Sequence, residues 1–312
     1  MANNILKTLS MKKITSVVIL LFAFSVSFAE KPIQLRLEKG KTYTQVSNIN
    51  SKVSQFAQGM SIDIEMSIVS TTSYKVLDVK DTLLFAEVSF SSLKTTVKSP
   101  MGVQELSSDS KNVNDPSSML MQELTKNPFK VTLTQSGRVA EIDANTAIEK
   151  AVNSVVALSD DQKAMVKGQF FEQFGNAAIR QNLENTFSYY PPKNVKGEKW
   201  NSVQKIKTSL ALVLNNENEV TDVNNENVTV KYVGEMSSPE NAEPANLNGM
   251  SAKYAINGTT EGDVTIDVKT GWIVKSTFSQ NLKGNLEFLP NAQMPNGMQV
   301  PITITNTGSV TQ

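Results

Sequence analysis

The chain contains no histidine and no cysteine in 312 residues. These absences exclude a Ser-His-Asp triad, a cysteine nucleophile, a disulfide framework and the usual zinc sites, because the base, the nucleophile or the soft ligand is missing. Catalysis would have to run on carboxylates, lysine, tyrosine or a bound cofactor. No Gly-rich phosphate loop or dinucleotide fingerprint points to a cofactor, and none is implied. Aromatic residues make up only 7% of the chain, and tryptophan occurs twice. There is also no apolar run of the ~20 residues that a membrane-spanning helix needs.

The longest apolar run, Ile14 to Phe24, follows Lys12 and Lys13. It is succeeded by Ser27-Phe28-Ala29, with small residues at the −3 and −1 positions of a cleavage site. Residues 1–29 therefore read as a signal peptide. The chain is expected to be exported to the periplasm or beyond the cell, and not to span a membrane. No cysteine follows the run, so a lipid-anchored lipoprotein is excluded, and Met11 offers a second start directly before the lysines. The net charge of zero reflects 30 basic and 30 acidic residues. Without Lys7, Lys12 and Lys13 the rest is mildly acidic, with no basic stripe to track phosphates, so nucleic acid is not an expected partner.

From Ile33 onward, apolar and polar residues alternate. The stripe Met60, Ile62, Ile64, Met66 and Ile68 has Ser61, Asp63, Glu65 and Ser67 opposite, the pattern of an antiparallel sheet with one wet face. Strands are expected at Ile33 to Leu37, Tyr43 to Val53, Tyr74 to Val79, Leu83 to Val97, Val103 to Leu106, Phe129 to Leu133 and Val139 to Ile142. Asp115-Pro116 caps and starts a short helix that Pro128 stops. From Asn145 to Phe187 the period becomes helical, with a capping box at Ser159 and Gln162. Strands return from Trp200 to Leu289. A last one spans Val300 to Thr305, and Pro301 predicts that it lies at an edge. The fold class is mainly β with α (α+β): long antiparallel strands in a curved sheet or half-barrel with a central helical insert. The divisions are 1–29 signal peptide, 30–143 N-terminal β-rich half, 144–190 helical insert and 191–312 C-terminal β-rich half.

Three pieces recur in the same order on either side of the insert. Lys39-Gly40-Lys41-Thr42-Tyr43 echoes Lys196-Gly197-Glu198-Lys199-Trp200. Val76-Leu77-Asp78-Val79 echoes Val220-Thr221-Asp222-Val223. The Lys130 to Val139 hairpin echoes Asp263 to Trp272, with glycine where the turn needs positive φ. Hairpin grammar alone produces look-alikes, but the shared order favours an internal duplication.

Several motifs imitate chemistry. Lys269-Thr270-Gly271 matches a penicillin-binding-protein motif, and Ser-x-x-Lys occurs at Ser91, Ser108 and Ser202. That pair needs a helix to bring both side chains to one face, whereas strands are expected at these places. Asn215 to Asn227 is rich in oxygen donors but lacks a calcium-loop pattern, and it reads as a solvated hairpin. Glu141, Asp143, Glu172 and Glu184 are unplaced carboxylates, to which no role is assigned.

The Gly-Lys-x-Tyr first hairpin, the strand Phe129-Lys130-Val131-Thr132-Leu133 with Ser136-Gly137-Arg138-Val139, and Asp267-Val268-Lys269-Thr270-Gly271-Trp272-Ile273 resemble an uncharacterised family of exported proteins from Bacteroidota. At fold level the chain is similar to periplasmic lipoprotein-carrier half-barrels, which implies an apolar ligand space between a curved sheet and its helices. The expected function is that of a non-enzymatic envelope protein holding an apolar ligand or lipid against Met60, Ile62, Ile64, Met66, Ile68, Met165, Phe170, Phe171 and Phe174, with no metal site. Flexible methionines suit such a cavity and an ordinary core alike. The alternatives are a structural or protein-interaction module that takes an envelope protein partner by edge-strand addition, and, third, a carboxylate enzyme.

Overall fold

Long alternating stretches leave one face of each strand apolar, and a single surface large enough to bury them all organises the molecule. The computed structural model describes residues 32–312 apart from 58, 113–114, 157, 208–209, 248 and 292–293, so residues 1–29, expected to be a signal peptide, lie outside the described residues. The N-terminal part consists of β1 (Thr42–Ala57), β2 (Met60–Lys80), β3 (Leu83–Ser99), β4 (Gly102–Ser107), α1 (Pro116–Lys126), β5 (Phe129–Thr134) and β6 (Val139–Ile142). Helices α2 (Ala144–Ser154), α3 (Asp160–Phe174) and α4 (Asn176–Phe187) follow. The C-terminal part consists of β7 (Lys199–Lys207), β8 (Ala211–Val223), β9 (Asn227–Ser237), β10 (Ala245–Leu247), β11 (Met250–Asp267), β12 (Ile273–Phe288) and β13 (Met298–Thr311).

All strands join one antiparallel sheet in the order β6-β5-β3-β2-β1-β13-β12-β11-β9-β8-β7, with β4 on β3 and β10 on β11. The chain is thus mainly β, and its two parts share one sheet. They meet where β13 pairs with β1 on one side, from Val46↔Thr311 to Gln55↔Ile302, and with β12 on the other. Pro301 does not lie in an edge strand, which corrects the expectation. It pairs with Asn285 of β12 one residue beyond the last β1 partner, Ile302. On that side its missing N–H leaves no ladder bond unmade.

Two other strand expectations change. Tyr74 to Val79 is the end of the 21-residue β2, which begins at Met60. Ile33 to Leu37 is not a strand, although Ile33, Leu35 and Leu37 are buried in alternation. It is a strap across two hairpin turns, in which the Leu35 N–H donates to the Gln135 carbonyl and the Arg36 N–H to the Thr270 carbonyl (2.8 and 2.7 Å). The helices follow their sequence signals. Asp115 caps α1 at Ser117, Asp143 caps α2 at Thr146, and Ser159 with Gln162 forms the capping box of α3.

Hydrogen bonds in the two parts recur at corresponding places. The Gly40 N–H donates to the Val76 carbonyl and the Val76 N–H to that of Lys41; Gly197, Val220 and Glu198 make the same pair. The β2–β3 register slips between Val76 and Asp78, and the β8–β9 register between Val220 and Asp222. The β5–β6 hairpin slips between Thr132 and Leu133, and β11–β12 between Thr265 and Ile266.

The sheet curls enough for its two edge strands to flank one helix, since α4 packs on both β6 and β7. Glu184 of α4 accepts from the Val139 N–H, and Arg180 donates to the Val139 carbonyl. Just past the helix, Ser188 accepts from Gln204 of β7 (2.7 Å). Inside the curl are four buried clusters. One joins Leu35, Tyr43, Tyr74 and Val131 to Leu183, Phe187 and Trp272; a second packs α1, α2 and α3 on Leu93. The other two line the C-terminal strands around Val220, Val230 and Ile266, and around Leu214, Ile256 and Leu286.

Two stability predictions follow from this packing. Gly271 has φ +68°, and a Cβ there would lie 2.3 Å from the Gln34 carbonyl oxygen of the strap. Gly197 has φ +88° with open space around it. Gly271→Ala should therefore cost at least about 2 kcal/mol in urea unfolding and Gly197→Ala only about 1, the strain of a left-handed alanine. Equal losses would refute a strap that closes on Gly271. Burial also raises the tyrosine hydroxyl pKa values, that of Tyr74 to about 12 and those of Tyr190 and Tyr232 as well. A phenol ionises in the unfolded chain near pH 10, so the unfolded state loses its protons first and stability falls as pH rises above ~10. The Tyr74 share reaches about 3 kcal/mol once pH passes ~12. Tyr74→Phe should shift the alkaline unfolding midpoint upward in circular dichroism, and an unchanged midpoint would refute its role.

Candidate functional site

The inner face of the sheet is the one that bears Tyr43, Tyr74 and Leu84. Where α3 and α4 cover it there is a cavity of about 230 Å³. Six aromatic rings line it: Tyr74, Phe90, Phe129, Phe174, Phe187 and Trp272. Gln45, Ser47 and Thr72 of β1 and β2, with Val88 of β3 and Val310 of β13, complete its sheet side. The strands place these residues by simple alternation, and a register slip at Thr71/Thr72 absorbs Ser91 so that both Phe90 and Leu93 point inward. Trp272 is placed by the turn before it. There Asp267 accepts from the Thr270 N–H and hydroxyl, and Gly271 takes a positive φ. The indole then packs on Tyr43 and Tyr74 with ring centroids at 5.3 and 5.2 Å. Its N–H is the informative group: Trp272 is only 2% exposed, and Nε1 has no hydrogen-bond partner. A buried donor left unpaired costs about 1–3 kcal/mol.

On β1 and β2 the inner face continues from Ser47 and Thr72 away from the helices. In register come Ile49 opposite Ile68, Ser51 opposite Met66 and Val53 opposite Ile64, with Val97 of β3 beside Met66. Ile49, Ile62, Ile64, Met66, Ile68 and Val97 are half-buried and belong to none of the four clusters. They form an apolar trough running from the cavity to the β1–β2 turn. From Thr72 to Ile62 it measures about 34 Å, at ~3.4 Å per residue.

The residues singled out in the sequence divide into groups. Ile62, Ile64, Met66 and Ile68 share the trough, and Met60, 62% exposed, lies at its end. Phe174 lines the cavity, while Phe170 and Phe171 pack behind it against the other helices. Met165 is 61% exposed and joins neither group. The helices pack on β3, β5, β6 and β7, so the stripe of β2 meets the helical phenylalanines end to end at the cavity and not face to face. Sequence reasoning missed Trp272, Tyr74, Ser47 and Thr72. A tryptophan directly after a turn glycine was the available signal for the first; the small floor residues gave none.

A larger hollow of about 720 Å³ lies over the C-terminal strands, ringed by exposed Val203, Val233 and the carboxylates Glu217, Glu235 and Glu261. Among the described residues no three acidic side chains gather closely enough to hold a metal ion. The decoy motifs have plain structural settings. Lys269-Thr270-Gly271 is the β11–β12 turn, and the Ser-x-x-Lys pairs lie on β3, after β4 and on β7, none on a helix. In the Asn215–Asn227 hairpin, Asn224 accepts from the Glu226 and Asn227 N–H groups. Asp143 caps a helix and Glu184 holds the β6 edge. No helix among the described residues is long and apolar enough to cross a membrane.

No curated protein matches the chain. Among solved structures it is similar to an outer membrane channel from Pseudomonas putida F1, at 10% identity and a TM-score of 0.22, covering 89% of this chain and 97% of that one. It is also similar to Pseudomonas aeruginosa OccK2 in complex with glucuronate (6% identity, 88% and 98% covered, TM-score 0.19) and to OmpT of Vibrio cholerae (7%, 89% and 99%, 0.16). These are outer membrane proteins and not the lipoprotein carriers expected from the fold resemblance, and TM-scores this low carry no argument. The model of a family of unknown function, DUF6263, matches residues 81–273, and the chain belongs to that family.

Proposed function

We propose that the protein is a non-enzymatic exported protein of the Bacteroidota envelope that holds an elongated apolar ligand, a lipid, on the inner face of its sheet. The observation that carries this reading is the aromatic cavity with its unpartnered Trp272 N–H at the head of an apolar trough. A lipid carbonyl or carboxyl oxygen would supply the missing acceptor, and an acyl chain would cover the half-buried isoleucines. Both contributions favour binding: pairing a buried donor recovers its desolvation cost, and each buried methylene adds about 0.8 kcal/mol. Edge-strand addition to an envelope partner has less support, since α4 already engages both backbone groups of Val139 on the β6 edge.

The sheet itself is read as an internal duplication. Mapping β1, β2, β3, β5 and β6 onto β7, β8, β9, β11 and β12 turns the order β6-β5-β3-β2-β1 into β12-β11-β9-β8-β7, the order found on the far side of β13. The recurring glycine bonds and register slips support the same mapping.

Native mass spectrometry of the protein purified from its own host, with solvent extraction, should find an acyl lipid bound. With Trp200→Phe, Trp272 becomes the sole tryptophan, and its fluorescence should change when a fatty acid is titrated in. Ser47→Phe, which fills the cavity floor, should weaken that binding at least about tenfold while leaving the circular dichroism unchanged. No extractable lipid and no titration signal would overturn the reading.

A further inference from the structure

The β1–β2 and β3–β4 turns lie side by side at the end of the sheet where the trough runs out. Glu65 pairs with Lys98, so Met60 stands five residues beyond that pair on β2 and Met101 three beyond it in the β3–β4 turn. Both turns are tight, with Gly59 and Gly102 at positive φ. Around them are large exposed apolar side chains: Phe56 at 55%, Met60 at 62%, Met101 at 98% and Val103 at 69%. These do not share a face. Met60 continues the inner stripe, Phe56 and Val103 alternate onto the outer face with Lys52 and Lys98, and Met101 is at the apex. A partner lying flat on the sheet covers one face, whereas a surrounding apolar medium satisfies both faces and the apex together.

Charge supplies a second observation. Behind the tips is a belt of ion pairs, Lys52 with Asp63 (2.9 Å) and Lys98 with Glu65 (4.0 Å), and Lys94 pairs with Glu105 (2.9 Å) further along the sheet, where Lys94 lies opposite Val69. Asp63 is three residues from Met60, about 10 Å at ~3.4 Å per residue. This matches the depth of roughly 5–10 Å to which interfacial segments bury their apolar side chains below the headgroups. The belt carries paired charges of both signs and no excess of either, which complements zwitterionic headgroups.

We infer that the two hairpin tips insert into the surface of a zwitterionic lipid layer, with the Lys52–Asp63 pair at headgroup level and the trough opening toward the layer. The contact does not depend on a ligand occupying the trough.

The test is flotation of the full protein, as its host processes it, with vesicles of neutral phosphatidylcholine. The protein should float with the vesicles, equally at low and high salt. The variant Phe56→Ser, Met60→Ser, Met101→Ser, Val103→Thr should lose at least about tenfold in bound fraction. Because Met101 is almost wholly exposed, Met101→Ser alone cannot disturb the fold and should still lower flotation measurably. A wild-type protein that stays at the bottom of the gradient overturns the inference, as does a quadruple variant that floats unchanged. So does sedimentation showing that the tips pair two copies of the chain in the absence of lipid. Fatty-acid titration without vesicles keeps the two readings apart: retained titration with lost flotation overturns the membrane contact alone.

Discussion

The ladder between β1 and β13 is the constraint on which the rest of the structure depends. Ten residue pairs, from Val46↔Thr311 to Gln55↔Ile302, splice the N-terminal strands to the C-terminal ones. Without it there would be two smaller sheets, each with a long, flat, unpaired edge of the kind that invites aggregation. With it the exposed edges are β6 and β7, and the curl of the joined sheet brings both to α4. The helical segment between the halves thus closes a gap that neither half could close alone, and α3 and α4 form the roof of the aromatic cavity by the same placement. The strap at Leu35 and Arg36, packed in the same cluster as Leu183 and Phe187 of α4, tightens the arrangement by tying the turn of one half to the turn of the other.

The cavity and the trough follow from an uneven distribution of cover. Helices shield β3, β5 and β6, and the C-terminal strands curl over their own apolar face around Leu214, Ile256 and Leu286. Between these shields the middle strands keep a strip that is apolar yet only half-buried. A sheet of this width cannot cover its whole inner face with the helices available, and the remainder is where a ligand adds the most.

Much of this was legible in the sequence because period is a local property. The alternation at Met60 to Ile68 placed the stripe on one face, Asp115-Pro116 and Ser159 with Gln162 marked helix starts, and Gly137 and Gly271 marked turns. What was not legible is partnership. Pro301 looked like an edge residue because its missing N–H is visible in the sequence, whereas the length of the neighbouring strand that makes the position harmless is not. Ile33 to Leu37 alternated like a strand, yet its amides meet two hairpin turns a hundred and more residues away. Trp272 could be placed after a turn, but its unpaired N–H exists only once Tyr43 and Tyr74 pack around the ring. The strip of β2 was correctly seen as apolar, while the idea that the helices face it along its length failed because helix position depends on the shape of the whole sheet.

The central position of β13 also orders events in time. Its partner β1 is near the start of the described chain, and β13 is made after every other described strand. Until residues 298–311 are available, no ladder joins the two halves, and β1 has β2 on one side and nothing on the other. Contacts so distant in sequence close slowly, because loop entropy must be overcome before pairing repays it. Synthesis therefore leaves a long interval in which the chain is extended and incompletely paired, so the fourteen-residue β13 acts as the latch that decides when the two parts become one sheet.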